Sequence, residues 1–186
     1  MFCPKCGLEL STSVPEGEDR PRSTCRSCGY VHYENPSVLV SCILFQEDRL
    51  LWIKRATEPY SGRWAFPGGF VERGETVEEA TCRELYEETG LILKPDLLIL
   101  NGVSSVPEMN QIYLSLIAPL PSMNFRATRE CTEVKLAKET DIPKEEYAYP
   151  PIVESWLHVL YERVRQGQVG KGPAIMRSYR SRQVSP

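Results

Sequence analysis

Two pairs of cysteines constrain the fold of the amino-terminal segment more than any other feature of this chain. Cys3-Pro4-Lys5-Cys6 and Cys25-Arg26-Ser27-Cys28 are C-x-x-C pairs separated by 18 residues, the spacing of a zinc ribbon. Each pair is followed by a glycine, Gly7 and Gly29. Glycine permits the tight turn that aims backbone amides at thiolate sulfur. Four thiolates around one Zn²⁺ close a tetrahedral site, so this metal holds structure and does no chemistry. Two disulfides or a redox C-x-x-C fit less well. Redox pairs occur singly beside a βαβ unit, and a cytosolic chain does not keep structural disulfides. The first thirty residues carry these cysteines and several charges where a signal peptide has an apolar core, and no stretch reaches 18 uninterrupted apolar residues. A cytoplasmic protein without a membrane span is expected.

The 186 residues allow one ordinary domain plus this small appendage, and 41% hydrophobic with 25% charged residues is enough to bury a core. A formal charge of -3 lacks the basic excess of a phosphate-backbone binder. Within residues 1–33, Lys5, Arg20, Arg22 and Arg26 are cancelled by Glu9, Glu16, Glu18 and Asp19, so the ribbon offers no basic stripe and nucleic acid is not an expected partner. Cys42, Cys82 and Cys131 have no C-x-x-C partner and read as small buried hydrophobes.

Past a turn at Tyr33-Glu34-Asn35-Pro36, residues 37–45 and 50–54 read as a strand hairpin with a buried face. The aromatic-rich loop Pro59–Gly69 suits a site wall. Residues 76–90 give the strongest helix: Thr76 with Glu79 makes a capping box and Gly90 a left-handed stop. Strands follow at 97–103 and 111–118, with a weaker one at 133–136. A helix over 152–166 repeats Val153, Trp156, Leu157, Leu160 and Val164 at helical spacing. Strands and helices are thus mixed, an α/β class. The segment from Val169, with Lys171, Arg177, Arg180 and Arg182 and no acid, reads as a solvated basic tail.

Between Glu72 and Glu88 stand seven glutamates and two arginines, Arg73 and Arg83. Glu84, Glu87 and Glu88 are spaced i, i+3, i+4 and emerge on one helix face, where like charges repel. A hard divalent cation, Mg²⁺ or Mn²⁺, complements such oxygen atoms and is commonly shared with substrate phosphates; a plain charged face is the alternative reading. Gly68-Gly69, directly before the helix, favours the first by letting backbone run close to a ligand.

Gly69, then five residues, Glu75, seven residues, and Arg83-Glu84-Leu85-Tyr86-Glu87-Glu88-Thr89-Gly90-Leu91 resemble the Nudix box at every defined position. The resemblance implies a Nudix-type α/β/α sandwich with a mixed sheet over residues 36–166; the zinc ribbon of residues 1–33 precedes it and the basic tail of 167–186 follows. It implies hydrolysis of a nucleoside diphosphate linked to another group, with Mg²⁺ or Mn²⁺ on Glu84, Glu87 and Glu88, Arg83 orienting those glutamates and Glu75 supporting the loop–helix geometry. The general base varies within the family. Glu133 is the first candidate and Glu130 the second, with a plain surface carboxylate the competing reading for both.

A zinc ribbon before a Nudix domain is similar to NADH pyrophosphatases and to FAD or ADP-ribose pyrophosphatases. The stretch Gly102–Gln111 departs from the S-Q-P-W-P-F-P-like segment of the NADH group. Pro15–Arg20, Tyr33–Pro36 and Ile142-Pro143 look like the FAD/ADP-ribose set. The expected substrate is therefore FAD or ADP-ribose, with NADH or NAD hydrolysis, or a non-catalytic nucleotide sensor, as alternatives. Gly69, Tyr60 and Phe66 are the expected substrate contacts. Tyr60 is the best placed of the aromatic residues Tyr60, Trp64, Phe66 and Phe70, each of which also fits a core. A homodimer would suit the family.

Overall fold

The computed structural model describes residues 1–178 and divides into two compact units, Met1–Pro36 and a second from Ser37 onward. In the first, strands β1 (Ser11–Ser13), β2 (Arg22–Thr24) and β3 (Val31–His32) form one antiparallel sheet in that order. The two cysteine pairs build the same turn twice. Gly7 N–H donates to the Cys3 carbonyl at 2.9 Å and Gly29 N–H to that of Cys25 at 3.0 Å; Cys3 and Cys25 N–H reach across to Leu8 and Tyr30. Both glycines are left-handed, with φ of 76° and 70°, a conformation in which a side chain is strained.

The second unit is organised by one long strand. β4 (Ser37–Gln46) turns through Glu47-Asp48 into β5 (Arg49–Arg55). The two pair only at Phe45–Leu50 and Gln46–Arg49, then separate. On one side β4 pairs in parallel along its length with β8 (Gln111–Pro119), which pairs antiparallel with β7 (Ile99–Val106). On the other side β5 pairs antiparallel with β9 (Cys131–Ala137) and β6 (Trp64–Ala65). The space opened between β4 and β5 is taken by residues 67–71, which run beside β4 through Cys42 N–H to Pro67 O, Val40 N–H to Gly69 O and Val71 N–H to Val38 O at 2.7, 2.8 and 2.9 Å. The splayed hairpin thereby seats the glycine turn at the centre of the sheet.

Helices cover both faces. Alternation along β4 sends Cys42 and Leu44 to one side, with Leu85 of α1 (Val77–Thr89), and Ile43 to the other, with Trp156, Leu157 and Leu160 of α2 (Pro150–Arg165). This is an α/β/α sandwich around a mixed sheet. Side chains such as Ile43, Leu50 and Leu85 are fully buried, each contributing about 1.5–3 kcal/mol. Buried Trp52 and Tyr161 pair their polar tips: the Trp52 indole donates to the Tyr161 hydroxyl at 3.2 Å, which donates to the Ala137 carbonyl at 2.8 Å.

Local rules foresee α1 with both caps, whereas α2 starts two residues early because Pro150 and Pro151 occupy a first turn whose N–H groups need no helical partner. The basic tail requires a correction. Ile175–Ser178 form an edge strand, β10, parallel to β7 from Ile175–Gly102 to Ser178–Ser105. Arg180 and Arg182 lie outside the described residues. Among those described, no helix is long and apolar enough to cross a membrane.

Candidate active site

Helix α1 is fixed at both ends before it presents any chemistry. The Thr76 hydroxyl accepts from Glu79 N–H at 3.2 Å, Glu79 Oε2 accepts from Thr76 N–H at 2.7 Å, and Gly90, at φ 72°, donates to Tyr86 O. Arg83 then acts as a hub. Its Nε and one terminal nitrogen bind both oxygens of Glu75 at 3.1 and 2.7 Å, that nitrogen also reaches Phe70 O, and the other terminal nitrogen donates to Glu84 at 2.8 Å and Glu87 at 3.2 Å. The guanidinium holds the Glu75 carboxyl below its ordinary range, and Glu75 in turn raises the affinity of Arg83 for its proton.

Two of the three helix glutamates gather with a carboxylate from another element. Oxygens of Glu84 and Glu87 lie within 4.8 Å of one another and of a Glu130 oxygen, from the segment before β9. Glu88 turns inward. It is 5% exposed, and Oε2 accepts from Gly68 N–H at 2.8 Å. Burial pushes the Glu88 carboxyl up to about 8 against the stabilising Gly68 amide, with Glu84 and Glu130 adding to the rise. Burial raises Glu84 as well.

The glycines are needed here for two different reasons. A Cβ on Gly68 would overlap the Val40 carbonyl oxygen and stand 2.8 Å from Ser41 Cα, so backbone itself blocks a side chain. A Cβ on Gly69 would meet the Glu84 carboxylate, 2.6 Å from its Cδ. The turn therefore approaches the acidic residues as closely as a chain without Cβ allows.

Gly68, Gly69, Glu84, Glu88 and Glu130 form one wall of a cavity of about 430 Å³, the size of a small-ligand pocket. Phe66, Tyr113, Tyr149 and Trp156 also line it, as does Arg55, whose guanidinium donates to Pro59 O at 3.0 Å and lies 5.9 Å from the Tyr149 ring centroid. Acid at one side and aromatic rings elsewhere suit a ligand with a charged centre and a planar group.

Of the expected substrate contacts, Gly69 and Phe66 line this cavity, Phe66 also serving the core with its ring 4.1 Å from Trp52. Tyr60 is outside the lining; its ring lies 4.6 Å from Tyr149. The two general-base candidates lie in different surroundings. Glu133, on β9, is half-exposed, 3.9 Å from Lys54 Nζ, and outside both cavity and cluster, whereas Glu130 belongs to both. The β5–β9 register shifts between Lys54 and Arg55, so that Arg55 pairs with Cys131, next to Glu130. Arg55, Tyr113 and Tyr149 were not singled out by sequence; alternation within β5 and β8 carries the only local signal for the first two. In the first unit, sulfurs of Cys3, Cys6, Cys25 and Cys28 lie within 4.8 Å of one another, and the Cys28 and Ser27 amides lower the Cys25 thiol to about 6.

Residues 36–157 match the NUDIX domain family and residues 1–34 the zinc-ribbon family described as Nudix N-terminal. The chain belongs to the Nudix hydrolase family. An ADP-ribose pyrophosphatase from Methanocaldococcus jannaschii is 36% identical over 132 residues, covering 69% of this chain and 77% of that protein. A NAD-capped RNA hydrolase from Haemophilus influenzae is 38% identical over 95 residues, covering 50% of this chain and 34% of that protein. The crystal structure of a NUDIX hydrolase from Nitrosomonas europaea superposes with a TM-score of 0.84 at 34% identity, covering 96% of this chain and 98% of that one. That match includes residues of both units.

Proposed function

We propose that this Nudix hydrolase splits the P–O–P link of a nucleoside diphosphate joined to a second group, with ADP-ribose or FAD as substrate. The observation that carries the reading is the gathering of Glu84, Glu87 and Glu130 within 4.8 Å beside a cavity also lined by Phe66, Tyr113, Tyr149 and Trp156. The Methanocaldococcus relative supports ADP-ribose. Carboxylate oxygens fit Mg²⁺ or Mn²⁺, and the four sulfurs of the ribbon fit a structural Zn²⁺.

Glu84, Glu87, Glu88 and Glu130 are the residues that would hold the catalytic metal, which supplies neutralisation of the diphosphate and activation of water. Arg83 orients Glu84 and Glu87, and Glu75 holds Arg83. Gly68 N–H fixes one Glu88 oxygen. Glu130 takes the proton from the attacking water; the water oxygen bonds to phosphorus and the bridging P–O bond breaks, releasing two phosphate monoesters. Tyr113 and Tyr149 give a base or flavin ring an aromatic wall.

The test is product analysis by chromatography after incubation with Mg²⁺ and, separately, ADP-ribose, FAD and NADH. AMP with ribose 5-phosphate or with FMN is expected, faster than AMP from NADH. AMP from none of them overturns the enzymatic reading in favour of a nucleotide sensor.

A further inference from the structure

Glu130 comes from a different element than Glu84 and Glu87, so something must hold it in register with helix α1. The last carbonyls of a helix lack helical partners. Here a turn before β9 supplies them. Arg126 N–H donates to Thr89 O at 3.0 Å, and Glu88 O accepts twice, from the Thr128 hydroxyl at 3.2 Å and the Cys131 thiol at 2.8 Å. The Thr128 hydroxyl also accepts from Glu130 N–H at 3.3 Å, and Thr128 N–H donates to Cys131 O at 3.2 Å. Glu130 O accepts from Ala56 N–H at 3.0 Å. Cys131 is fully buried, packed with Ile53, Ala65 and Ala148, and its thiol has no exposure to solvent. The residues flanking Glu130 therefore grip the carbonyl of Glu88, itself part of the acidic wall.

We propose that Thr128 and Cys131 are positioning residues that clamp Glu130 to the carboxyl end of α1, making carboxylates from two elements one rigid cation-binding set. The inference rests on the role given to Glu130 above. Neither residue touches the cavity; each acts through the backbone of Glu88 and the turn that bears Glu130. Partners that orient the groups around a metal typically change affinity or activity by 10–100-fold when lost.

The experiment is a double-mutant cycle read by Mn²⁺ binding in electron paramagnetic resonance and by kcat for the hydrolysed dinucleotide. Thr128→Val keeps shape and removes the hydroxyl, Cys131→Ala removes the thiol, and Thr128→Ser restores the hydroxyl. The pair T128V/C131A is expected to weaken Mn²⁺ binding and lower kcat about 10–100-fold in the otherwise native chain. In an E130Q background it should change either quantity less than about twofold, because the group being positioned is already disabled. T128S should match the native protein. Equal losses in both backgrounds would make the two residues merely structural and overturn the proposal, as would no loss in either. If no dinucleotide is hydrolysed, the Mn²⁺ arm alone decides the clamp, so its failure is separable from failure of the enzymatic reading.

Discussion

In the ribbon, four sulfurs lie within 4.8 Å of one another; in the sandwich, three carboxylates lie within the same distance. Both clusters crowd negative charge, and both rely on glycine turns that bring backbone near the ligating atoms. They differ in what surrounds them. Cys3 and Cys25 are buried, and amide groups close around the Cys25 sulfur. Glu84 and Glu130 instead face a cavity of about 430 Å³. Four soft ligands saturate a tetrahedral ion, while a few hard ligands beside open space leave positions for water and phosphate. What borders a cluster decides whether a metal held there would keep open positions.

Stripping metal from the ribbon should have the largest effect, since structural zinc contributes about 10–16 kcal/mol of apparent binding energy in small zinc modules. A strong chelator is expected to release one zinc per chain and to collapse the NMR dispersion of residues 1–36 while that of the sandwich persists. Retained dispersion in a metal-free sample would erase the contrast between the clusters. Next comes Glu87→Gln, which keeps shape and removes one cation-binding charge. A fall in kcat of about 100-fold or more, with an unchanged melting temperature, is expected from steady-state kinetics and calorimetry.

The two glycines sharpen the comparison further. Gly68→Ala drives a methyl into backbone and should cost about 3 kcal/mol in denaturant unfolding, the upper end for overpacking. Gly69→Ala meets the flexible end of Glu84, so stability should change little while activity falls about 10–100-fold, because the group that moves is one proposed to hold the cation. Equal stability losses for both would deny that the second glycine serves chemistry. Glu133→Gln should do least, changing kcat less than about twofold, as its partner is Lys54 at the surface. A Glu133→Gln loss as large as that of Glu87→Gln would restore Glu133 as the base.

Legibility followed the range of the interactions. Helix α1 could be read with both caps because Thr76, Glu79 and Gly90 act within a few residues of it. β10 could not, since Ile175 pairs with Gly102 far away in sequence and a run of basic residues looks like solvent. The i, i+3, i+4 spacing brought Glu84 and Glu87 together, but the fate of Glu88 depended on an amide twenty residues upstream, at Gly68. Likewise, Glu130 and Glu133 are indistinguishable as letters. Their surroundings separate them: Glu133 sits within β9 opposite Lys54, whereas Thr128 and Cys131, on either side of Glu130, hydrogen-bond to the Glu88 carbonyl of α1. Tyr149 gave no local sign of facing the cavity, because its position is set by the left-handed entry, φ 53°, into α2.

The most direct measurement is anomalous diffraction from crystals soaked in Mn²⁺ with a non-hydrolysable ADP-ribose analogue. A manganese peak bonded to oxygens of Glu84 and Glu87 and to the analogue's diphosphate is the result this account predicts. A diphosphate bound elsewhere, with those carboxylates turned to solvent and no anomalous peak between them, would contradict it.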